Sequence, residues 1–195
     1  MDRYTWHSLI DNDQSDEATI TFYDQGLTAT GVQTTRSYRL HWSLKAPEAW
    51  TTRRFSATVE GDGWARRLDL ERSESGRWHC DTALSGTQPQ ELAQPGFDDA
   101  RELLDARDID LGRCPMTNTM PIRRLGLLEK EVPRTKLIMA WIDVPSLHVI
   151  ASDQYYASHD THSVRYESCT RGVNVLLTVN SAGVVTHYPD LAECV

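Results

Sequence analysis

Residues Ser37 to Leu44 read SYRLHWSL, and this stretch shows the pattern that decides the fold. Its apolar residues are Tyr38, Leu40, Trp42 and Leu44, and polar or small residues separate them. Successive side chains of a β-strand point to opposite faces of the sheet. The alternation therefore predicts a strand with one buried face and one solvated face.

Similar short stretches occur on both sides of this strand. Lys136–Val144 (KLIMAWIDV) is apolar at successive positions and predicts a central strand that is buried on both faces. The last two predicted strands flank Ser181-Ala182-Gly183, which is typical of a hairpin turn. The other predicted strands cover Ala18–Tyr23, Gly26–Val32, the alternating Phe55, Ala57 and Val59, the alternating Leu68 and Leu70, Leu147–Ala157, Ser163–Glu167, Val173–Asn180 and Val184–Tyr188.

One stretch departs from this alternation. Phe97–Ala106 (FDDARELLDA) places Phe97, Ala100, Leu103 and Leu104 at helical spacing, with acidic residues early, and predicts a short amphipathic helix. The predicted fold is therefore mainly β. It consists of a single, large, strongly curved antiparallel sheet, open or half-barrel in form, with a short helical excursion mid-chain. A sheet of this kind commonly encloses an apolar ligand cavity.

The length and composition of the chain exclude several classes of protein function. The 195 residues predict a single domain, 1–195, and the formal net charge of −8 argues against a nucleic-acid partner. No apolar run approaches the roughly 20 residues of a membrane-spanning helix. The N-terminal residues lack the pattern of a secretory signal, so we expect a soluble, cytoplasmic protein. The four cysteines form no CxxC pair and are expected to be free thiols.

Motifs for several common chemistries are absent. The sequence has no GxSxG, GxGxxG or GxxxxGK[ST] stretch, so it predicts no nucleophile elbow, dinucleotide site or P-loop. His159 and His162 have zinc-ligand spacing, but their surroundings favour a solvated turn between two strands. His79-Cys80-Asp81 lies on a predicted strand, where neighbouring side chains diverge. We therefore expect neither a metal nor a cofactor.

Cys114–Leu127 (CPMTNTMPIRRLGL) is the most unusual stretch. Arg123 and Arg124 lie between Ile122 and Leu125, and an arginine in apolar surroundings needs an acceptor. One hypothesis is an internal ion pair with Asp108 or Asp110, and the high cost of an unpaired buried charge favours it. A bound phosphate or carboxylate is the other.

The same stretch contains Thr117-Asn118-Thr119. These side chains either cap backbone groups in a turn or form a polar lip that binds a sugar or headgroup. Trp141, Tyr155 and Tyr156 lie on strands that follow, and they are candidates to line a cavity. The candidate ligand-binding residues are Arg123, Arg124, Asn118, Thr117, Thr119, Trp141 and Tyr156.

The segments DIDLGRCPMTNTMPIRRLGL and MAWIDVPSLHVIASDQYYA resemble the bacterial "putative glycolipid-binding" family, formerly a domain of unknown function. The resemblance covers the chain from about Trp6 and is sharpest over 108–156, whereas 85–107 is longer than the family pattern leads us to expect. The positions that match the pattern are Asp108, Asp110, Leu111, Pro115, Thr117, Asn118, Thr119, Pro121, Ile122, Arg123, Arg124, Leu125, Trp141, Pro145, Gln154, Tyr156 and Tyr188.

The resemblance implies a long curved sheet similar to that of periplasmic lipoprotein carriers. The leading hypothesis is a non-enzymatic protein that holds the apolar group of a lipid or glycolipid in the concavity of this sheet. The arginine pair and the threonine-asparagine lip would then contact the headgroup. One alternative is an enzyme of unknown chemistry acting on a small amphipathic substrate, with Arg123 binding an anionic group and His148 and Asp143 transferring protons. A third hypothesis makes the PIRRL segment a structural plug, with its arginines paired to Asp108 and Asp110.

Overall fold

The computed structural model describes all residues, 1–195, and contains 14 strands, one α-helix and two short 3₁₀ helices. The 3₁₀ helices are Ala100–Leu103 and Pro115–Asn118, and α1 is Thr119–Leu125. The strands are β1 Asp2–Ser8, β2 Ser15–Tyr23, β3 Gly26–Thr34, β4 Tyr38–Ala46, β5 Arg54–Gly61, β6 Trp64–Arg72, β7 Trp78–Gly86, β8 Asp108–Leu111, β9 Thr135–Ile142, β10 Val149–Ser158, β11 Ser163–Ser168, β12 Val173–Val179, β13 Val185–Tyr188 and β14 Ala192–Cys194.

All 14 strands belong to one sheet, in the order β7-β6-β5-β4-β3-β2-β1-β14-β13-β12-β11-β10-β9-β8. The end strands β7 and β8 do not pair, so the sheet is not closed into a barrel. This confirms the predicted mainly β fold with one large open sheet. Every pair is antiparallel except β8 with β9, where Asp108–Leu111 runs parallel to Met139–Ile142. The chain between these two strands crosses over through α1, as a parallel connection requires.

The helical excursion lies mid-chain as predicted, but the α-helix is not where the periodicity placed it. Residues 97–106 contain only the 3₁₀ turn Ala100–Leu103, and Leu104 is exposed. Both ends of this stretch are held in extended pairing, because Gly96 bridges His148 and the Arg107 carbonyl accepts from Thr52 N. Tertiary pairing at these two anchors therefore outweighs the local helical periodicity.

The concave face of the sheet forms the core. In β4 the buried side chains alternate along the strand as predicted, and the same alternation continues through β5 and β6. A cluster of 31 buried residues joins this face to the 3₁₀ helices, to α1 and to β8–β10. A second cluster of nine joins β10–β13 to Ile122 of α1 and to Leu127. The concavity is therefore filled by side chains of the chain itself.

Strand β8 shows how strongly the sheet curves. All four of its residues are buried, although β8 is the last strand in the sheet order. Ile109 and Leu111 belong to the large core cluster, which also contains residues of β4–β7. The other face of β8, with Asp108 and Asp110, is directed towards the segment that contains the second 3₁₀ helix and α1. The sheet thus curls until its final strand is enclosed.

None of the helices is both long and apolar enough to cross a membrane.

Candidate functional site

The PIRRL segment, Pro121–Leu125, forms most of α1, and this helix lies inside the concavity. Met116 and Met120 pack in the large core cluster, and Ile122 packs in the smaller one, all completely buried. The helix ends at Gly126, which adopts the left-handed conformation with φ 67°, and Leu127 N donates to the Ile122 carbonyl. Glycine is favoured at such a helix end because it has no Cβ. Arg123 and Arg124 occupy the last turn, where consecutive helix residues point in different directions.

Arg124 is directed towards β8. Its Nη1 donates to Asp108 Oδ2 and to the Trp50 carbonyl, the latter at 3.2 Å. The Asp108 carboxyl is fully buried, whereas the Arg124 side chain is 12% exposed. Burial raises the pKa of Asp108, and the adjacent guanidinium acts in the opposite direction. The prediction of an internal ion pair is therefore confirmed for Asp108 and Arg124.

Arg123 takes a different direction. Its guanidinium lies 5.0 Å from the centre of the Trp50 ring and 3.6 Å from Glu129 Oε1. Its side chain remains 28% exposed. The two arginines therefore have different environments: Arg124 joins α1 to β8, and Arg123 lies at the surface against an aromatic ring.

Three of the predicted polar residues converge on one carboxylate. Asp110 accepts from Thr117 Oγ1 at 3.0 Å and from Gln154 Nε2 at 2.6 Å. Tyr156 OH donates to Gln154 Oε1 at 3.1 Å and accepts from Asn118 Nδ2 at 2.8 Å. We call these five residues the Asp110 cluster. At most 5% of each is exposed, so every hydrogen bond within the cluster is shielded from solvent.

Arg171 reaches the Asp110 cluster from the turn between β11 and β12. Its Nη2 donates to Tyr166 OH at 2.8 Å and to Tyr188 OH at 3.4 Å, and it lies 3.8 Å from Asp110 Oδ2. Burial, the largest single influence, would lower the pKa of Arg171, but the Asp110 carboxylate, Tyr166 and Tyr188 together outweigh it and the pKa is raised. Burial raises the pKa of Tyr188. The tyrosines therefore stay neutral beside a charged pair.

Trp141 completes this side of the site. It is opposite Asp110 in the β8–β9 register, and the Arg171 guanidinium lies 6.0 Å from the centre of its ring. Both Trp141 Nε1 and Arg171 Nε are buried atoms without an acceptor in the protein. A buried donor that lacks an acceptor is costly, so these two N–H groups favour an additional oxygen, either of a water molecule or of a ligand.

The remaining sequence candidates make no side-chain hydrogen bond to the Asp110 cluster. Thr119 is completely buried, and its Oγ1 has no hydrogen-bond partner. Asp143 and His148 belong to the β9–β10 turn, where Asp143 accepts from Ser146 Oγ at 2.5 Å and His148 Nδ1 contacts the Gln94 carbonyl at 3.1 Å. This pair therefore does not face Arg123. His159 and His162 lie in an exposed turn, and no three potential metal ligands lie together.

The sequence interpretation missed part of the site. Gln154 and Tyr188 lie at positions that match the family pattern, which is the sequence signal that points to them. In the structure Gln154 donates to Asp110, and Tyr188 accepts from Arg171. No feature of the sequence marked Arg171 or Tyr166 as residues of the site. Arg171 precedes Gly172 in an ordinary turn, and Tyr166 alternates like any core strand residue. Only the pairing of β10, β11 and β12 brings them to Asp110.

The fold and these residues can be compared with known proteins. A family model described as putative glycolipid-binding matches residues 3–194. The chain belongs to this family. The family resemblance predicted from the sequence is thus confirmed, and the residues of the Asp110 cluster are all among the positions on which that prediction rests.

One solved structure is similar to this chain. It is the crystal structure of a DUF1089 family protein from Pseudomonas aeruginosa, with 24% sequence identity, a TM-score of 0.71 and coverage of 91% of each chain. At this identity the likeness establishes the fold alone. No curated protein matches the chain.

Proposed function

We propose that residues 1–195 act as one non-enzymatic domain that binds a lipid or glycolipid. The proposed polar contacts are Thr117, Asn118, Thr119, Trp141 and Tyr156 for an uncharged or sugar headgroup, and Arg123 and Arg124 for an anionic one. The name of the family suggests a glycolipid. The observation that carries the proposal is the pair of unpartnered N–H donors beside the Asp110 cluster.

A sugar would suit these donors. Trp141 Nε1 and Arg171 Nε both need an oxygen acceptor, and a sugar ring offers several hydroxyl oxygens at close spacing. The carboxylate and amides of the Asp110 cluster can accept from and donate to hydroxyl groups, and the indole ring provides an apolar surface. The site therefore combines the groups that recognise a carbohydrate.

The apolar part of the ligand can enter the concavity only if the residues that fill it move. The concavity expected to hold it is filled by Met116, Met120 and Ile122. Exposing three such side chains would cost roughly 5–9 kcal/mol, whereas each methylene that a ligand buries contributes about 0.8 kcal/mol. An acyl chain of roughly ten methylenes would offset this cost. We therefore propose that α1 and the preceding 3₁₀ helix are displaced when a long acyl chain enters.

The first experiment is native mass spectrometry of the protein purified from its own host, followed by titration with a glycolipid of long acyl chain. The expected result is a bound mass that is lost on denaturation and saturable binding in the titration. Hydrogen exchange should accelerate at the amides of residues 116–120 and 122 when the glycolipid is bound. A bare mass together with no saturable binding of any lipid or glycolipid would overturn the proposal.

A pair of matched variants tests the polar contacts. Trp141→Phe keeps an aromatic ring but removes the N–H donor, and we expect it to weaken glycolipid binding roughly tenfold. Trp64→Phe makes the same change on β6, away from the site, and should bind like the unaltered protein. Equal affinity for both variants would exclude the Trp141 N–H group from the contact.

We further propose a cytoplasmic location. The four cysteines, Cys80, Cys114, Cys169 and Cys194, are unpaired, and Cys169 is exposed. Free exposed thiols are typical of a reducing compartment. Fractionation of the host cell would test this, and recovery of the protein outside the cytoplasm would contradict it.

A further inference from the structure

A second polar feature lies at the other side of the Arg124–Asp108 pair. A cleft of about 260 Å³ opens there, lined by Asp105, Arg107, Arg124, Lys136, Leu137 and Ile138. It forms because β8 pairs only with Met139–Ile142, so the beginning of β9 lacks a neighbour on that side. Three of the six lining residues are cations in a chain whose formal net charge is −8.

The cations of this cleft are incompletely neutralised. Arg107 is exposed and has no carboxylate within ion-pairing distance, unlike Arg124 and Lys136. The ion pair of Lys136 with Asp153 is exposed on both sides, so it contributes little and can exchange for another anion. Asp105 is the only carboxylate in the lining, and it opposes an anionic ligand.

Arg72 lies near Arg107 and Arg124 of the cleft, and also near Arg53. Arg72 Nε donates to the Ala106 carbonyl at 3.0 Å, and Arg53 Nη1 donates to the Ser73 carbonyl at 3.1 Å. Neither arginine has a carboxylate partner. Burial, and then the positive charges of Arg107 and Arg53, lower the pKa of Arg72. Mutual repulsion among these cations would be relieved by a bound anion.

We propose that the cleft between Arg107, Arg124 and Lys136 binds a phosphate monoester or diester. A phosphate oxygen can accept from the free N–H groups of Arg107 and from Lys136 Nζ, while Leu137 and Ile138 provide an apolar wall for the esterified carbon. The phosphate can come from a lipid headgroup or from a small soluble molecule. The first source rests on the proposed function and would make the protein selective for anionic lipids.

The first probe is inorganic phosphate. Its binding is measured by the changes that it causes in the backbone amide NMR chemical shifts. We expect saturable shifts at residues 107 and 136–138 that weaken as the salt concentration rises. Arg107→Ser and Lys136→Ser should each lower the affinity roughly tenfold. Arg39→Ser, which removes an exposed arginine on the outer face of β4, should leave it unchanged. Asp105→Asn should raise it.

Vesicles distinguish the two sources. Binding to vesicles that contain phosphatidylglycerol but not to pure phosphatidylcholine, lost in Arg107→Ser, would assign a lipid phosphate. Phosphate binding without vesicle selectivity would assign a soluble ligand. If phosphate causes no shifts at these residues, or if Arg39→Ser weakens binding as much as Arg107→Ser, the inference is wrong. Binding of a neutral glycolipid would then still support the proposed function, because that binding uses the Trp141 side of the molecule.

Discussion

Arg124 and Asp108 form an ion pair in which the carboxylate is completely buried and the guanidinium is also bonded to the Trp50 carbonyl. The pair joins the last turn of α1 to the first residue of β8. It therefore closes the crossover between the two parallel strands and holds α1 in the concavity. The neighbouring Arg123 makes no contact of this kind, so the two arginines provide a matched pair for experiments.

Replacing Arg124 should destabilise the protein strongly. Arg124→Met leaves Asp108 buried without its partner, and we expect the free energy of unfolding to fall by about 3–5 kcal/mol. Arg123→Met removes a partly exposed cation over Trp50 and should cost about 1 kcal/mol or less. Urea unfolding followed by circular dichroism measures both values. Equal stabilities would show that the buried pair does not hold the fold together.

Stability should depend on pH through Asp16. Its carboxyl is buried and accepts from Gln33 Nε2 at 2.9 Å, and burial raises the pKa from 3.8 to about 7. The unfolded chain releases this proton near pH 4, whereas the folded protein keeps it to about pH 7. The folded state thus binds more protons in that window, so the contribution of Asp16 to the free energy of unfolding falls as pH rises through it.

The Asp16→Asn variant tests this dependence. Asparagine keeps an acceptor for Gln33 but has no proton to lose, so the variant should gain stability relative to the unaltered protein between pH 4 and 7. The full gain is about 4 kcal/mol above pH 7. Urea unfolding at a series of pH values measures the difference, and a difference that stays constant with pH would rule out a raised pKa.

The contribution of the Asp110 cluster to the stability of the protein should depend on the hydroxyl group of Tyr156. Tyr156→Phe leaves Asn118 Nδ2 and Gln154 Oε1 without a partner in a buried site, which should cost about 1–3 kcal/mol. Tyr155→Phe makes the same change on the opposite face of β10, where the ring lies under Arg134, and should cost less than about 0.5 kcal/mol. Thermal or urea unfolding of the two variants would refute the prediction if Tyr155→Phe proved the more costly.

The cysteines should react in the order of their exposure. Cys169 is exposed, Cys80 and Cys194 are partly buried, and Cys114 is buried. Burial also raises the pKa of the Cys114 thiol well above its ordinary value, which keeps it protonated. A thiol reagent followed by peptide mapping should label Cys169 first and Cys114 only on unfolding. Rapid labelling of Cys114 in the native protein would mean that the segment before α1 opens readily.

The strands were predictable because their signal is local. Alternation of Tyr38, Leu40, Trp42 and Leu44 depends only on the period of a strand, and the structure buries these residues on one face. The helix was predicted in the wrong place for a related reason. Residues 97–106 carry a helical pattern, but tertiary pairing at Gly96 and Arg107 overrides it.

The sequence by itself determined the mainly β fold and the family, because these depend on local periodicity and on a contiguous motif. Only the tertiary structure decided that α1 fills the concavity, that Arg124 rather than Arg123 pairs with Asp108, and that Arg171 reaches Asp110. The partners of a buried charge are set by strand register and by the curvature of the sheet. These bring together residues as far apart as Asp110 and Arg171, which no local pattern relates.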